Sequence, residues 1–172
     1  AVGAIIIIVV FRNEIRRVLQ AKNLKSILWG LSYKTTTTPT EIIADTVFQM
    51  AARRCGALIV FPGKEDLSGL VQGGTPWKGV ITKEMIASIF WPENPVHDGA
   101  AIVQGDQITF VGTILPLSER DDLPSRYGTR HRAALGLAEA SDAMVIVVSE
   151  ERGDVLIAKG NRLREIKQKQ TL

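Results

Sequence analysis

Hydrophobic and polar positions along this chain of 172 residues follow both the helical and the strand period. The segment EIIADTVFQMAARR, residues 41–54, places its apolar residues on one face of a helix. Thr82 suits the cap of a second helix over residues 83–90, and the proline-rich WPENP after it ends that helix. A third helix is predicted over residues 128–142, with Thr129 as its N-cap.

Short apolar runs between these helices predict strands. GALIVF, residues 56–61, is typical of a buried strand. Two pairs of runs predict hairpins, one turning at Gly105 and Asp106 and the other at Arg152 and Gly153. Residues 63–79 are rich in glycine and are predicted as a loop with short strands. We therefore expect an α/β (α+β) fold, a single domain whose central mixed, largely antiparallel β-sheet is surrounded by helices.

The first residues differ from the rest, because AVGAIIIIVVF, residues 1–11, is an unbroken apolar run. The run is shorter than the roughly 20 residues of a membrane span, so it is either the end of a truncated transmembrane helix or a buried strand. Arg12, Arg16 and Arg17 follow directly, which favours the helix and a cytoplasmic location for what comes next. An amphipathic connecting helix would complete residues 1–33, a globular domain would occupy residues 34–162, and residues 163–172 would form a flexible basic tail.

Composition narrows the possible chemistry only slightly. The chain is 45% hydrophobic and 23% charged, as in ordinary globular proteins. A net charge of +3 suits an anionic ligand or an anionic membrane surface. The single cysteine excludes an intrachain disulfide and a metal site built from cysteines. No glycine-lysine motif of the P-loop type is present.

The segment GTRHR, residues 128–132, carries positive charge where a helix disfavours it. The N-terminal end of a helix is its positive end, and its free N–H groups bind anions. Two arginines there make sense if a multiply charged anion binds, since the guanidinium group grips two phosphate oxygens at once. The alternative is that these arginines point into solvent or pair with the acidic residues of the preceding loop, at positions 119, 121 and 122.

Two further groups of polar residues stand next to predicted strands. His97 and Asp98 precede one strand, either as ligand-binding residues or as a polar turn. Glu150 and Glu151 follow another, either as a solvated turn or as a source of one oxygen ligand for Mg²⁺ or Mn²⁺. Adjacent strand residues face opposite ways, so the spacing leaves the choice between the two glutamates open.

In this order, HDGA, LPLS, GTRHRAA and SEE resemble the motifs of the diadenylate cyclase domain. Its hallmark motifs, Asp-Gly-Ala and Arg-His-Arg, correspond to residues 98–100 and 130–132, and the likeness extends from about residue 42 to residue 159. The apolar N-terminal run resembles the membrane-anchored bacterial branch of that family. The resemblance implies a nucleotidyltransferase that converts two ATP molecules into the second messenger cyclic di-AMP and two pyrophosphates.

The resemblance also implies roles for individual residues. Asp98 would orient or deprotonate the ribose 3′-OH, and His97 with Glu151 would hold the divalent metal, Mg²⁺ or Mn²⁺. Leu115 matches a position that lines the adenine pocket. The residues expected to bind ATP are Gly99, Ala100, Leu115, Thr129, Arg130, His131, Arg132 and Ser149.

Partners follow from the same resemblance. A product with two-fold symmetry requires two ATP molecules facing each other, so we expect a face-to-face homodimer for catalysis. The N-terminal segment would hold the domain at the cytoplasmic face of the cell membrane, and no nucleic acid partner is expected. The alternatives are a non-catalytic nucleotide- or RNA-binding module and a metal hydrolase that uses His97, Asp98 and His131. The lack of clustered aromatic residues counts against RNA binding.

Overall fold

The computed structural model describes residues 37–169. Helices and strands alternate irregularly along this part of the chain, as the hydrophobic pattern predicts. The helices are α1 (Thr40–Ala52), α2 (Lys83–Ile89) and α3 (Thr129–Ala140). The strands are β1 (Ala57–Phe61), β2 (Gln72–Val80), β3 (Ala100–Gln104), β4 (Gln107–Ile114), β5 (Met144–Val148), β6 (Val155–Lys159) and β7 (Arg162–Glu165).

All the strands join one seven-stranded sheet in the order β2-β4-β3-β1-β5-β6-β7. The neighbours β1 and β3 are parallel, and every other neighbouring pair is antiparallel. The predicted mixed, largely antiparallel sheet is therefore confirmed. Both predicted hairpins are present as β3–β4 and β5–β6, and the first turns at Gly105 and Asp106 as expected. The second is connected by residues 149–154, a longer loop than the predicted turn at Arg152 and Gly153.

Helices cover both faces of the sheet. Successive side chains of a strand point to opposite faces, so the apolar strand β1 contributes Ile59 to one core and Val60 to the other. Helices α1 and α2 pack over the first core, and α3 packs over the second. The threonine cap predicted for α2 is also present, since the side chain of Thr82 accepts a hydrogen bond from the backbone N–H of Met85.

Two segments differ from the sequence-based prediction. Residues 72–80 form the long edge strand β2, although they were predicted as a loop with short strands. Glycine and Pro76 disfavour a strand by composition, but an edge strand needs only one hydrogen-bonded neighbour, so β4 pairs with it. The tail predicted to be flexible from residue 163 begins instead as strand β7, which pairs with β6.

The predicted membrane segment and connecting helix of residues 1–33 lie outside the described residues. Between residues 37 and 169, no helix is long and apolar enough to cross a membrane.

Asp142 anchors the loop that follows β1. Its carboxylate accepts hydrogen bonds from the backbone N–H groups of Lys64 (2.7 Å) and Glu65 (3.2 Å). These hydrogen bonds hold the pKa of Asp142 below the ordinary value, because they favour the charged form. We expect Asp142→Ala to lower the midpoint of thermal unfolding and to expose this loop to proteases.

The effect of Asp142 should depend on pH with a defined sign. A lowered folded-state pKa contributes stability that is complete above the ordinary aspartate pKa and is lost as the pH falls through the folded-state value. The difference in unfolding midpoint between wild type and Asp142→Ala should therefore shrink in acid. A difference that grows as the pH falls would contradict this interpretation.

Candidate active site

Three strand ends meet at one edge of the sheet. Strands β1 and β3 are parallel and begin there, while β5 is antiparallel to β1 and ends there. Gly56 precedes β1, Asp98 precedes β3 and Glu150 follows β5. Strand β4 also ends at this edge, and from it the chain continues to the start of α3. Residues far apart in sequence are therefore brought to one place by the strand order.

Asp98 and His97 lie in the loop that enters β3. The carboxylate oxygen Oδ1 of Asp98 is 3.1 Å from Nε2 of His97, and the Asp98 side chain is 85% exposed. The other ring nitrogen, Nδ1 of His97, is 2.6 Å from the carbonyl oxygen of Asn94. A carbonyl oxygen can only accept, so Nδ1 donates in this contact, and Nε2 is the ring nitrogen that faces the Asp98 carboxylate.

Arg130, in the first turn of α3, joins the two loops. Its guanidinium nitrogens lie 2.6 Å from a carboxylate oxygen of Glu150 and 3.8 Å from Oδ1 of Asp98. The side chain is 18% exposed, and its buried Nε atom has no hydrogen-bond partner among residues 37–169. A side chain on Gly56 would crowd this pair, since its Cβ would lie 3.1 Å from both the guanidinium group and Glu150. Arg130 thus points into the same cleft as Asp98.

The cleft is a cavity of about 450 Å³ at this edge of the sheet. Its volume is in the range of small-molecule sites, which is about 300–1,000 Å³. Asp98, Arg130 and Ser149 lie in its lining, as does the exposed N-terminal end of α3. The residues that line it are Asp98, Arg126, Gly128, Thr129, Arg130, His131, Val148, Ser149, Glu150 and Glu151.

The N-terminal end of α3 is less positive than its sequence suggests. Burial lowers the pKa of His131, which favours the neutral ring, and the ring stacks on Tyr127 with centroids 4.9 Å apart. Glu150 balances the charge of Arg130. The N-cap is Gly128, and no side chain caps the helix, so the prediction of Thr129 as N-cap is wrong by one residue. Side chains of the protein therefore neutralise part of the positive charge that a bound anion was expected to neutralise.

Arg132 is not among the residues that line the cavity. One of its guanidinium nitrogens donates to the carbonyl oxygen of Arg120 (2.9 Å) and lies 3.4 Å from that of Ser118. The backbone N–H of Ser118 in turn donates to the carbonyl oxygen of Arg132. In the structure this arginine fastens the loop after β4 to α3. Its contact with phosphate stays a prediction.

Three other residues expected to bind ATP occupy packing positions. Ala100 and Leu115 are 0% and 5% exposed and belong to the core under α3. Gly99 lets β3 approach β4 closely, because a Cβ there would overlap the backbone of Gly112. None of these side chains lines the cavity, so their contact with ATP also stays a prediction.

At this edge of the sheet, protein side chains alone supply only part of the ligands that a divalent metal needs. Among residues 37–169, no group of three or more histidine, cysteine, aspartate or glutamate side chains could hold a metal ion. Mg²⁺ and its analogues commonly use one or two protein ligands together with substrate phosphates. His97 and Glu151 would suffice for that mode. Glu150 is engaged by Arg130, whereas Glu151 forms no ion pair in the described part of the chain, which favours Glu151.

The sequence interpretation missed Arg126 and Gly56. Arg126 lines the cavity two residues before Gly128, and the basic segment GTRHR could have been extended to include it. No local signal marks Gly56, because its importance comes from the side chains of α3 and of the segment after β5 that meet beside it.

Comparisons with known proteins agree with this architecture. Residues 44–163 match the DAC family, described as "DisA bacterial checkpoint controller nucleotide-binding". A diadenylate cyclase of Listeria monocytogenes is 36% identical over 164 residues, which cover 94% of this chain and 60% of that protein. The chain thus spans less than two thirds of that relative's length.

Two solved structures are similar. A hypothetical membrane spanning protein from Bacillus cereus superposes with a TM-score of 0.74 at 36% identity, over 94% of this chain and 80% of that one. A double mutant of DacA from Staphylococcus aureus superposes with a TM-score of 0.73 at 38% identity, over 77% of this chain and 88% of that one.

The family model covers residues 44–163, well over half of the chain, and its description names a nucleotide-binding domain. The chain belongs to the DAC family.

Proposed function

We propose that this chain is the catalytic part of a diadenylate cyclase, a nucleotidyltransferase that condenses two ATP molecules into cyclic di-AMP and releases two pyrophosphates. The shared cleft of Asp98 and Arg130 is the observation that carries the proposal, since their side chains lie 3.8 Å apart. Phosphoryl and nucleotidyl transfer need a group that orients the attacking hydroxyl next to a cation that stabilises the phosphate.

The chemistry assigned to the cleft consists of two equivalent steps. In each, the 3′-OH of one ATP attacks the α-phosphate of the other, a P–O bond forms, and the bond to pyrophosphate breaks. Asp98 accepts or orients the hydroxyl proton as the O–H bond is lost. Arg130 stabilises the negative charge on the α-phosphate oxygens, and Glu150 holds its guanidinium group in place.

A divalent cation, Mg²⁺ or Mn²⁺, is proposed to complete the site. When bound, it supplies Lewis acidity to the phosphate and lowers the pKa of a nearby hydroxyl. His97 would present Nε2 to it, and Glu151 would present a carboxylate from the segment after β5.

Two copies of the domain are required by the symmetry of the product. The cleft of one chain, about 450 Å³, suits a single nucleotide, so the second ATP would come from a partner domain facing it. Ile114, the last residue of β4, and Leu117, just after it, are exposed and offer apolar surface for such a contact. The apolar N-terminal run would anchor the domain at the cytoplasmic face of the cell membrane and so raise its local concentration.

The decisive experiment is mass spectrometry of the nucleotide products after incubation with ATP and Mn²⁺ or Mg²⁺ at several protein concentrations. We expect cyclic di-AMP and pyrophosphate, with a rate per chain that rises with protein concentration until dimers saturate. A rate per chain that is independent of concentration down to the lowest measurable level would contradict the two-copy requirement.

Other products would identify other functions. Release of phosphate from ATP without nucleotide joining would indicate a metal hydrolase. Binding of ATP without any product, under every metal and concentration, would indicate a non-catalytic nucleotide-binding module. RNA binding would be recognised by a steep dependence on salt concentration.

A further inference from the structure

The balance of charged side chains in the lining of the cavity is unfavourable for a polyphosphate. Its carboxylates, Asp98, Glu150 and Glu151, outnumber its guanidinium groups, Arg126 and Arg130, by three to two. His131 adds little positive charge, because burial lowers its pKa. A triphosphate therefore needs every cation that the cleft can provide.

Two arginines line the cavity, and within residues 37–169 only one of them, Arg126, forms no ion pair. Arg130 is held between Glu150 and Asp98, and Arg132 lies outside the lining with its guanidinium group on backbone carbonyls. Arg126 is exposed and forms no ion pair with a carboxylate of residues 37–169. Its charge is thus available to a ligand.

Arg126 lines the cavity beside the aromatic ring of the next residue, Tyr127. Its guanidinium carbon lies 5.3 Å from the centre of the Tyr127 ring, and Tyr127 stacks on His131 with an interplanar angle of 14°. Stacking of this kind restricts a long side chain without using its N–H donors. The N–H groups of Arg126 are therefore available to a ligand that enters the cavity.

We propose that Arg126 binds the β- and γ-phosphates of ATP and stabilises the leaving pyrophosphate. The inference rests on the proposed function for the identity of the ligand. Arg130 contacts Asp98, where the α-phosphate must react, so the terminal phosphates would extend towards the arginine that makes no contact with Asp98. Pyrophosphate gains charge as it leaves, and a bidentate guanidinium contact stabilises that charge.

Binding measurements by calorimetry test the proposal without turnover. The probe is 3′-deoxy-ATP, which lacks the attacking hydroxyl, and it is compared with AMP, which lacks the β- and γ-phosphates. We expect Arg126→Ala to weaken binding of 3′-deoxy-ATP about tenfold or more, the size of a lost charged hydrogen bond. AMP affinity should stay within about twofold, and Arg126→Lys should restore part of the loss.

Arg162→Ala is the matched control, since it removes an exposed arginine from β7, outside the cavity lining. It should leave both affinities unchanged. The proposal is overturned if Arg126→Ala leaves the affinity for 3′-deoxy-ATP unchanged, or if it weakens 3′-deoxy-ATP and AMP equally. The second result would mean that Arg126 acts through the Tyr127 and His131 stack.

Failure of this proposal and failure of the cyclase assignment give different results. A selective loss of 3′-deoxy-ATP affinity in a protein that makes no cyclic di-AMP would support Arg126 as a phosphate ligand and reject the cyclase. If the wild-type protein forms cyclic di-AMP and the Arg126→Ala variant keeps full affinity for 3′-deoxy-ATP, the cyclase assignment is supported and the role of Arg126 is rejected.

Discussion

Asp98→Asn is expected to lower cyclic di-AMP formation by about 10²–10⁴-fold, the usual contribution of a positioned acid or base, while ATP still binds. An amide of the same shape cannot accept the hydroxyl proton. The side chain is 85% exposed, so the substitution should not unfold the domain. The measurement is the rate of product formation together with the affinity for ATP.

Asp121→Asn provides the control, because Asp121 is exposed in the loop before α3 and is absent from the cavity lining. It should keep full activity. Retention of cyclic di-AMP synthesis by Asp98→Asn would remove Asp98 from the mechanism. Loss of ATP binding along with activity would assign it to binding instead.

The largest effect on stability is expected at Gly136, in the middle of α3. Replacing a helical glycine with alanine ordinarily stabilises a helix by about 1 kcal/mol. Here the new Cβ would overlap the carbonyl oxygen of Pro116 and lie 2.6 Å from the backbone nitrogen of Ser118. Backbone cannot rotate away as a side chain can, so we expect Gly136→Ala to lower the free energy of unfolding by about 1–3 kcal/mol.

Urea unfolding measures this change, with Gly69→Ala as the control. A Cβ on Gly69 would meet nothing within 4 Å, so that substitution should be close to neutral. If Gly136→Ala proved as stable as wild type, the close approach of α3 to residues 116–118 would be wrong. The variant should also displace Leu115, which directly precedes this segment.

Local patterns predicted much of the fold. The helix α1, the Thr82 cap of α2 and the hairpin β3–β4 depend on residues close in sequence, so periodicity and turn chemistry were sufficient. Strands β2 and β7 lie at the two edges of the sheet. Their sequences are rich in glycine or in charged residues, and they form strands because β4 and β6 provide hydrogen-bonding partners.

The candidate site divides in a similar way. The motifs pointed to Asp98, Arg130 and Ser149, and the structure brings these into one cavity, although their roles in catalysis stay predictions. Residues of the same type that lie close together in the sequence have different contacts in the structure. Arg130 enters the cleft while Arg132 contacts the carbonyl oxygen of Arg120, and Glu150 pairs with Arg130 while Glu151 does not.

By itself, the sequence determined the class of fold, the helix with a basic first turn and the residue types available for chemistry. These depend on the local alternation of polar and apolar residues and on motifs a few residues long. Only the tertiary structure decided which charges neutralise each other, since the parallel pairing of β1 with β3 and the antiparallel pairing of β5 set which strand ends meet. The same long-range packing places the backbone of residues 116–118 against Gly136, and it brings Arg126 into one cavity with the carboxylates of Asp98 and Glu150, which are distant in the chain.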